Sequence, residues 1–128
     1  PTIDAFCKLD EQTQKNVIAY IKTFQYYEMT EAGSRKFFLS HTLPDYIEGE
    51  IIFDYPLLQF AVGEPDYEKE YIPGMITVSG HTPTGLISPD SNGKIWRGNS
   101  HIVIDCGAVF GNPLGCLCLD TLEEFYVE

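Results

Sequence analysis

Two of the three histidines occupy the same kind of position. His41 closes the apolar run FFLSH ahead of the loop residues TLPDY, and His81 closes MITVSGH ahead of TPTG. A side chain at the end of a strand, just before a loop, is held rigidly yet meets solvent, which suits a metal ligand or a general base. Neutral imidazole is the commonest protein donor to a metal. Two histidines do not close a metal site, because zinc and the harder divalent cations take about four to six donors. Asp45 is the one carboxylate close by in the loop after His41.

Other chemistry-bearing residues read more plainly. His101 opens HIVIDCG in no loop-facing motif and is expected to be structural. Asp105, in the middle of the same run between Ile104 and Cys106, is expected to be a hydrogen-bonded structural carboxylate. The acidic, aromatic stretch PDYEKEY reads as solvated surface that has the means to line a cleft. GNPLG lacks the Lys-Ser/Thr end of a phosphate-binding loop, and no serine sits in a nucleophile elbow. Cys7, Cys106, Cys116 and Cys118 contain no C-x-x-C pair. Cys116 and Cys118, two apart in an apolar run, would share one face of a strand. All four are expected to be small buried apolar side chains in a reducing, cytoplasmic setting.

The elements that must position these groups follow from periodicity and punctuation. Asp10 ahead of EQTQKNVIAYIKTF predicts a capped helix with Val17, Ile18, Ile21 and Phe24 on one face. YYEMTE and KFFLSH, separated by Ala32-Gly33-Ser34-Arg35, predict a hairpin whose second strand ends at His41. Pro56 is expected to open a short helix through Ala61, and GEPDYEKEYIPG is a surface loop. MITVSGH, KIWRGN (after the tight turn Asp90-Ser91-Asn92-Gly93), HIVIDCG, LGCLCLD and EEFYVE predict five further strands in a meander. The class is α+β, with mostly antiparallel strands and one or two helices.

A chain of 128 residues, 44% apolar and 21% charged, has the size of one domain, here 1–128. Eight Phe, eight Tyr and a Trp exclude a solvated coil. With 19 acidic side chains against 8 basic ones the net charge is −11, which disfavours nucleic acid and anionic membrane as partners. No secretory segment is visible, and no apolar run approaches the roughly 18–20 residues of a membrane span. The chain opens on Pro1 rather than methionine, as a processed product or a fragment would.

SGHTPTG and IDCGAVFGNPLGCLCLDTLEEFYVE resemble the C-terminal half of a calcineurin-like metallophosphoesterase, in the bacterial serine/threonine-phosphatase-like branch related to diadenosine tetraphosphatases. FFLSH resembles the strand that carries the family's "L-V-H-A-G" histidine, GHTPT its late "G-H-T" motif, and the tail its closing "D-C-G-x-V-F-G-G-x-L…C-L-D-T" pattern. Pro83 stands where related nucleases and diesterases have a second histidine. The resemblance implies half of a four-layer α/β/β/α sandwich, with His41 and His81 as ligands of one ion of a two-metal site of Mn, Fe, Zn or Mg type. It implies hydrolysis of a phosphorylated substrate by a metal-activated hydroxide. The earlier motifs "G-D-x-H", "G-D-x-x-D-R-G" and "G-N-H-E" do not occur here, so the chain alone is expected to be inactive. Two positions depart from the pattern: Thr42 follows the first histidine in place of glycine, and Glu64 replaces an expected arginine. The alternative reading is a non-catalytic binding or assembly module of the same fold. A half sandwich leaves apolar surface bare, so a homo-oligomer, or association with the missing N-terminal half, is expected.

Overall fold

The computed structural model describes residues 2–128. The helix that Asp10 announces is α2 (Glu11–Ile21); the Asp10 carboxylate accepts from the Thr13 amide at 3.0 Å and from its hydroxyl at 2.6 Å. These bonds hold the Asp10 carboxyl below its ordinary value. A six-residue helix, α1 (Thr2–Cys7), precedes it without a sequence signal, and Gln14 Nε2 donates to the Leu9 carbonyl at 2.9 Å across the junction. Neither helix buries a residue, so the apolar face of α2 lies open, with Ile21 54% and Phe24 57% exposed.

The hairpin forms as expected from β1 (Tyr27–Ala32) and β2 (Arg35–Ser40), in register from Tyr27↔Ser40 to Ala32↔Arg35. Its two-residue turn has a positive φ at Gly33 (59°) and not at Ser34, the II′ pattern that matches strand twist.

The five later strands all form: β3 (Ile76–Ser79), β4 (Trp96–Gly98), β5 (His101–Val103), β6 (Leu114–Leu117) and β7 (Glu124–Val127). They are not one meander. The larger sheet has the order β1-β2-β3-β5-β4, and both central pairings, β2–β3 and β3–β5, are parallel. The reason is the length of the connections, because a parallel pair needs a crossover of about a dozen residues or more. Residues 41–75 supply one, carrying a 3₁₀ turn (Ile52–Asp54) and α3 (Gln59–Val62). The antiparallel pairs are β1–β2, β4–β5 and β6–β7. β4 and β5 join through Asn99 and Ser100, with φ of 45° and 64°, a type I′ turn that the sequence reading passed over. The fold is α+β with a mixed sheet. Its α-helices number four among the described residues rather than one or two, α4 (Thr84–Ile87) completing the set; α3 and α4 are single turns. Pro56 starts a hydrogen-bonded turn, and the helical residues proper begin three positions later, at Gln59.

Alternation along the strands divides the core. Phe38, Thr77 and His101 register side by side and point to one face, while Leu39, Val78 and Ile102 point to the other. On the first face Phe38 packs with Leu43, Ile52 and Phe60 of the crossover segment. On the second, Phe37, Val78, Ile95, Ile102 and Cys106 pack against Leu117, Leu119 and Leu122 of the β6–β7 unit. Arg97 ties that unit to the main sheet, its Nη2 lying 2.7 Å from the Glu124 carboxylate and donating to the Leu122 carbonyl at 2.9 Å.

The cysteines depart from expectation. Only Cys106 is buried; Cys7 and Cys116 are exposed and Cys118 is half-buried, because α1 buries no residue and β6 alternates exposed and half-buried positions. Asp105 lies beyond the end of β5 rather than mid-strand.

Candidate functional site

Parallel strands deliver their C-terminal ends to one edge of a sheet. β2, β3 and β5 all run the same way, so His41 directly after β2, His81 two residues after β3 and Asp105 two residues after β5 reach the same edge. Backbone pairing continues past the strands: the Gly80 amide donates to the His41 carbonyl at 3.0 Å, and the Ile104 amide to the Ser79 carbonyl at 2.8 Å. Forty residues apart in sequence, His41 Nε2 and His81 Nδ1 come within 2.9 Å, with ring centroids 4.8 Å apart and planes at 68°. Both rings are exposed. In the neutral state one ring's N–H donates to the other ring's lone pair.

His81 sits in left-handed backbone, φ 67°, and the Thr82 amide donates across it to the Gly80 carbonyl at 2.7 Å, closing a three-residue γ-turn. Such a conformation costs a non-glycine residue about 1–3 kcal/mol and persists only when its surroundings over-determine it. The anchors are the Gly80–His41 bond on one side and, on the other, the Thr84 amide donating to the Asp105 carbonyl at 2.8 Å. Thr84 is fully buried, and its hydroxyl donates to the Ser91 carbonyl at 2.8 Å.

Asp105 is hydrogen-bonded, its Oδ1 accepting from the Gly107 amide at 2.9 Å. Asp45 does not join the histidines either; its Oδ1 accepts from the Glu64 amide at 2.7 Å and fixes the start of the 64–74 loop. Among the described residues no three His, Cys, Asp or Glu side chains are grouped so as to hold an ion. Metal–nitrogen bonds of 2.0–2.1 Å place two adjacent ligand nitrogens about 3.0–3.4 Å apart, close to the observed 2.9 Å. In the observed contact the two nitrogens face each other, so to serve one ion both lone pairs would have to turn toward a common point, with the rest of the shell left to other groups.

Thr42, directly after His41, anchors the end of β2. Its side chain turns away from the site and is fully buried; its hydroxyl donates to the Gly63 carbonyl at 3.0 Å and its amide to the Phe60 carbonyl at 3.0 Å. His41 is thereby anchored to the crossover segment behind it.

Two concavities meet at the pair. His41 borders a groove of about 510 Å³ along the sheet, lined chiefly by apolar side chains including Tyr27, Leu39, Val78 and Leu117. His81 borders a cleft of about 340 Å³ walled by Glu64, Pro65 and Tyr67 on one side and Thr82, Pro83 and Leu86 on the other. PDYEKEY thus lines a cleft as well as meeting solvent. The Tyr67 hydroxyl is buried beside Thr82 without a hydrogen bond of normal geometry; burial, aided by the Asp105 charge, pushes its phenol up. Sequence reasoning missed Tyr67 as a site residue, because nothing in a polar, proline-bearing loop told which tyrosine would turn inward.

His101 is buried, as expected of a structural histidine, but it does face a loop: its Nε2 lies 2.7 Å from the Lys69 carbonyl. Compared with models of protein families, with curated proteins and with solved structures, the chain matches none.

Proposed function

We propose that the chain is the C-terminal part of a metal-dependent phosphoesterase of the serine/threonine-phosphatase-like kind, with His41 and His81 holding one divalent ion. The observation that carries this reading is the 2.9 Å approach of two exposed imidazole nitrogens at adjacent strand ends, one of them on a strained turn. The resemblance of GHTP and the closing DCG…CLDT run to that family supports it. Divalent ions, when bound, would neutralise charge on the phosphate oxygens and supply a hydroxide at neutral pH. The chain's own residues position: β2 fixes His41, the γ-turn aims His81, and the cleft between Tyr67 and Leu86 receives the phosphorylated group. No lysine or arginine is among the residues lining that cleft, and Glu64 stands at it, so an anionic substrate depends on bound cations to reverse the local sign.

Titration calorimetry with Mn²⁺ or Zn²⁺ tests the ligand assignment. Binding is expected to be weak, and His41→Ala and His81→Ala should each lower affinity tenfold or more; tight binding indifferent to both overturns it. Activity is tested by joining the chain to a polypeptide carrying the family's three earlier motifs. Hydrolysis of p-nitrophenyl phosphate in manganese is the expected outcome, and no hydrolysis with any divalent ion sinks the enzymatic reading. The second reading, a non-catalytic binding or assembly module, is favoured by the lack of a third grouped donor among the described residues. That reading gains if the joined protein binds metal and hydrolyses nothing.

A further inference from the structure

His101 ties the wall of the His81 cleft to the sheet. It is 2% exposed, on the middle of three parallel-paired or hairpin-paired strands, and it points to the face covered by the 64–74 loop. Its Nε2 lies 2.7 Å from the Lys69 carbonyl, which only accepts, so Nε2 carries the proton. Nδ1 of the neutral ring is then an acceptor, 2.6 Å from the Thr77 hydroxyl. Tyr67 and Tyr71 of the loop stand edge-on to the imidazole, each with ring centroids 5.6 Å away. The ring is thus the peg on which the loop hangs, and the loop's first residues wall the cleft at His81.

We infer that His101 is a pH-sensitive latch: neutral, it holds the 64–74 loop against the sheet; protonated, it releases the loop and opens the cleft beside His81. The hydrogen bonds alone do not drive this, because a protonated Nδ1 can donate to Thr77, whose hydroxyl then turns to the Ser100 carbonyl 3.3 Å away. The driving force is the charge. A buried imidazolium needs a counter-ion, and among the described residues no carboxylate forms an ion pair with His101. From the loop, Asp66 acts on the ring by its charge without forming an ion pair, Glu68 is engaged by Asn99 Nδ2 at 3.0 Å, Glu70 accepts from the Gly74 amide at 3.2 Å, and the Lys69 ammonium lies over the Tyr46 ring. Tyr67 and Tyr71 are neutral phenols whose ionisation burial pushes up. From the sheet, β3 contributes only the Thr77 hydroxyl, and Arg97 of β4 registers with Ile102, on the opposite face, in its bridge to Glu124. Burial accordingly holds the His101 imidazole below its ordinary 6.5, against the opposing pulls of the Lys69 carbonyl and Asp66. Nothing in the latch requires metal or phosphoesterase chemistry.

The test is run on the chain in chelator, so that metal binding plays no part. Amide exchange of residues 64–74, corrected for intrinsic rates, should lose tenfold or more of its protection between pH 7.5 and 5, while β2 and β3 keep theirs. Trp96 is the only tryptophan and touches Tyr67 at 5.5 Å between centroids, so its fluorescence should change over the same range. The transition should persist in a His41→Asn, His81→Asn double variant and vanish in His101→Gln. Should His101→Gln fail to fold, the imidazole is followed directly by NMR in the double variant, where it is the remaining histidine; its titration should coincide with loop opening. Unchanged loop protection at pH 5, a transition that survives His101→Gln, or titration of His101 without loop opening would each overturn the latch.

Discussion

His81 adopts a backbone conformation that glycine reaches without penalty, yet carries one of the two imidazoles on which the candidate site depends. Strain and ligation can therefore be separated. His81→Ala and His81→Gly should lower metal affinity equally, whereas His81→Gly should be the more stable of the two by about 1 kcal/mol, because left-handed backbone penalises a Cβ. Urea unfolding of both variants checks this, and equal midpoints would show the turn to be unstrained. His101 makes a different demand. Its folded value lies below the unfolded 6.5, so the unfolded chain binds the proton more readily. The stability it contributes is complete above pH 6.5 and is lost as pH falls through the folded value. The histidines were legible in the sequence as strand-end or strand-start residues. Which of them would touch was not, since a separation of forty residues carries no distance information until the strands pair.

At the scale of elements, the parallel pairings decide the site. In the meander expected from the strand signals, successive strands would alternate in direction, and His41 and His81 would not be delivered to one edge by neighbouring strands. The crossover 41–75 reverses that outcome, and its return to the sheet depends on close backbone packing at Gly63. A Cβ there would lie 2.3 Å from the Leu43 carbonyl and 2.6 Å from the Gln59 carbonyl. Gly63→Ala should cost about 2–3 kcal/mol, as overpacking against backbone does. Thr42→Val, which keeps the shape but leaves the Gly63 carbonyl without its donor, should cost about 1–3 kcal/mol. Urea midpoints measure both, and a neutral Thr42→Val would mean the hydroxyl anchors nothing. The capped helix, the hairpin and each strand were legible because they rest on local patterns: an Asp before a 3.6-residue periodicity, a Gly-Ser turn, β-branched runs between glycines. The order and direction of the strands were not, because parallel pairing is fixed by what the long connection can bury.

The whole molecule presents much apolar surface. The open face of α2, Leu86 at 79% and Phe110 at 75% exposure, and the groove beside His41 are all uncovered. Against this stands a net charge of −11, which repels a second copy. The expected balance is self-association at tens of micromolar that strengthens with salt, because screening shortens the reach of the repulsion from about 30 Å at 0.01 M to about 8 Å at 0.15 M. Sedimentation velocity across that range checks it, and a compact monomer throughout would count against it. Among the described residues no helix is long and apolar enough to cross a membrane. By itself the sequence determined the α+β class, the place of each strand and of the capped helix, the Asp10 cap and the two histidines worth watching. Each of these follows from side chains within a few positions of one another. Only the tertiary structure decided that the central strands run parallel, that His41 and His81 meet at 2.9 Å, and that a loop read as solvated surface hangs on the buried His101. Those outcomes depend on which apolar faces find each other across long connections, and that is a property of packing which no local pattern encodes.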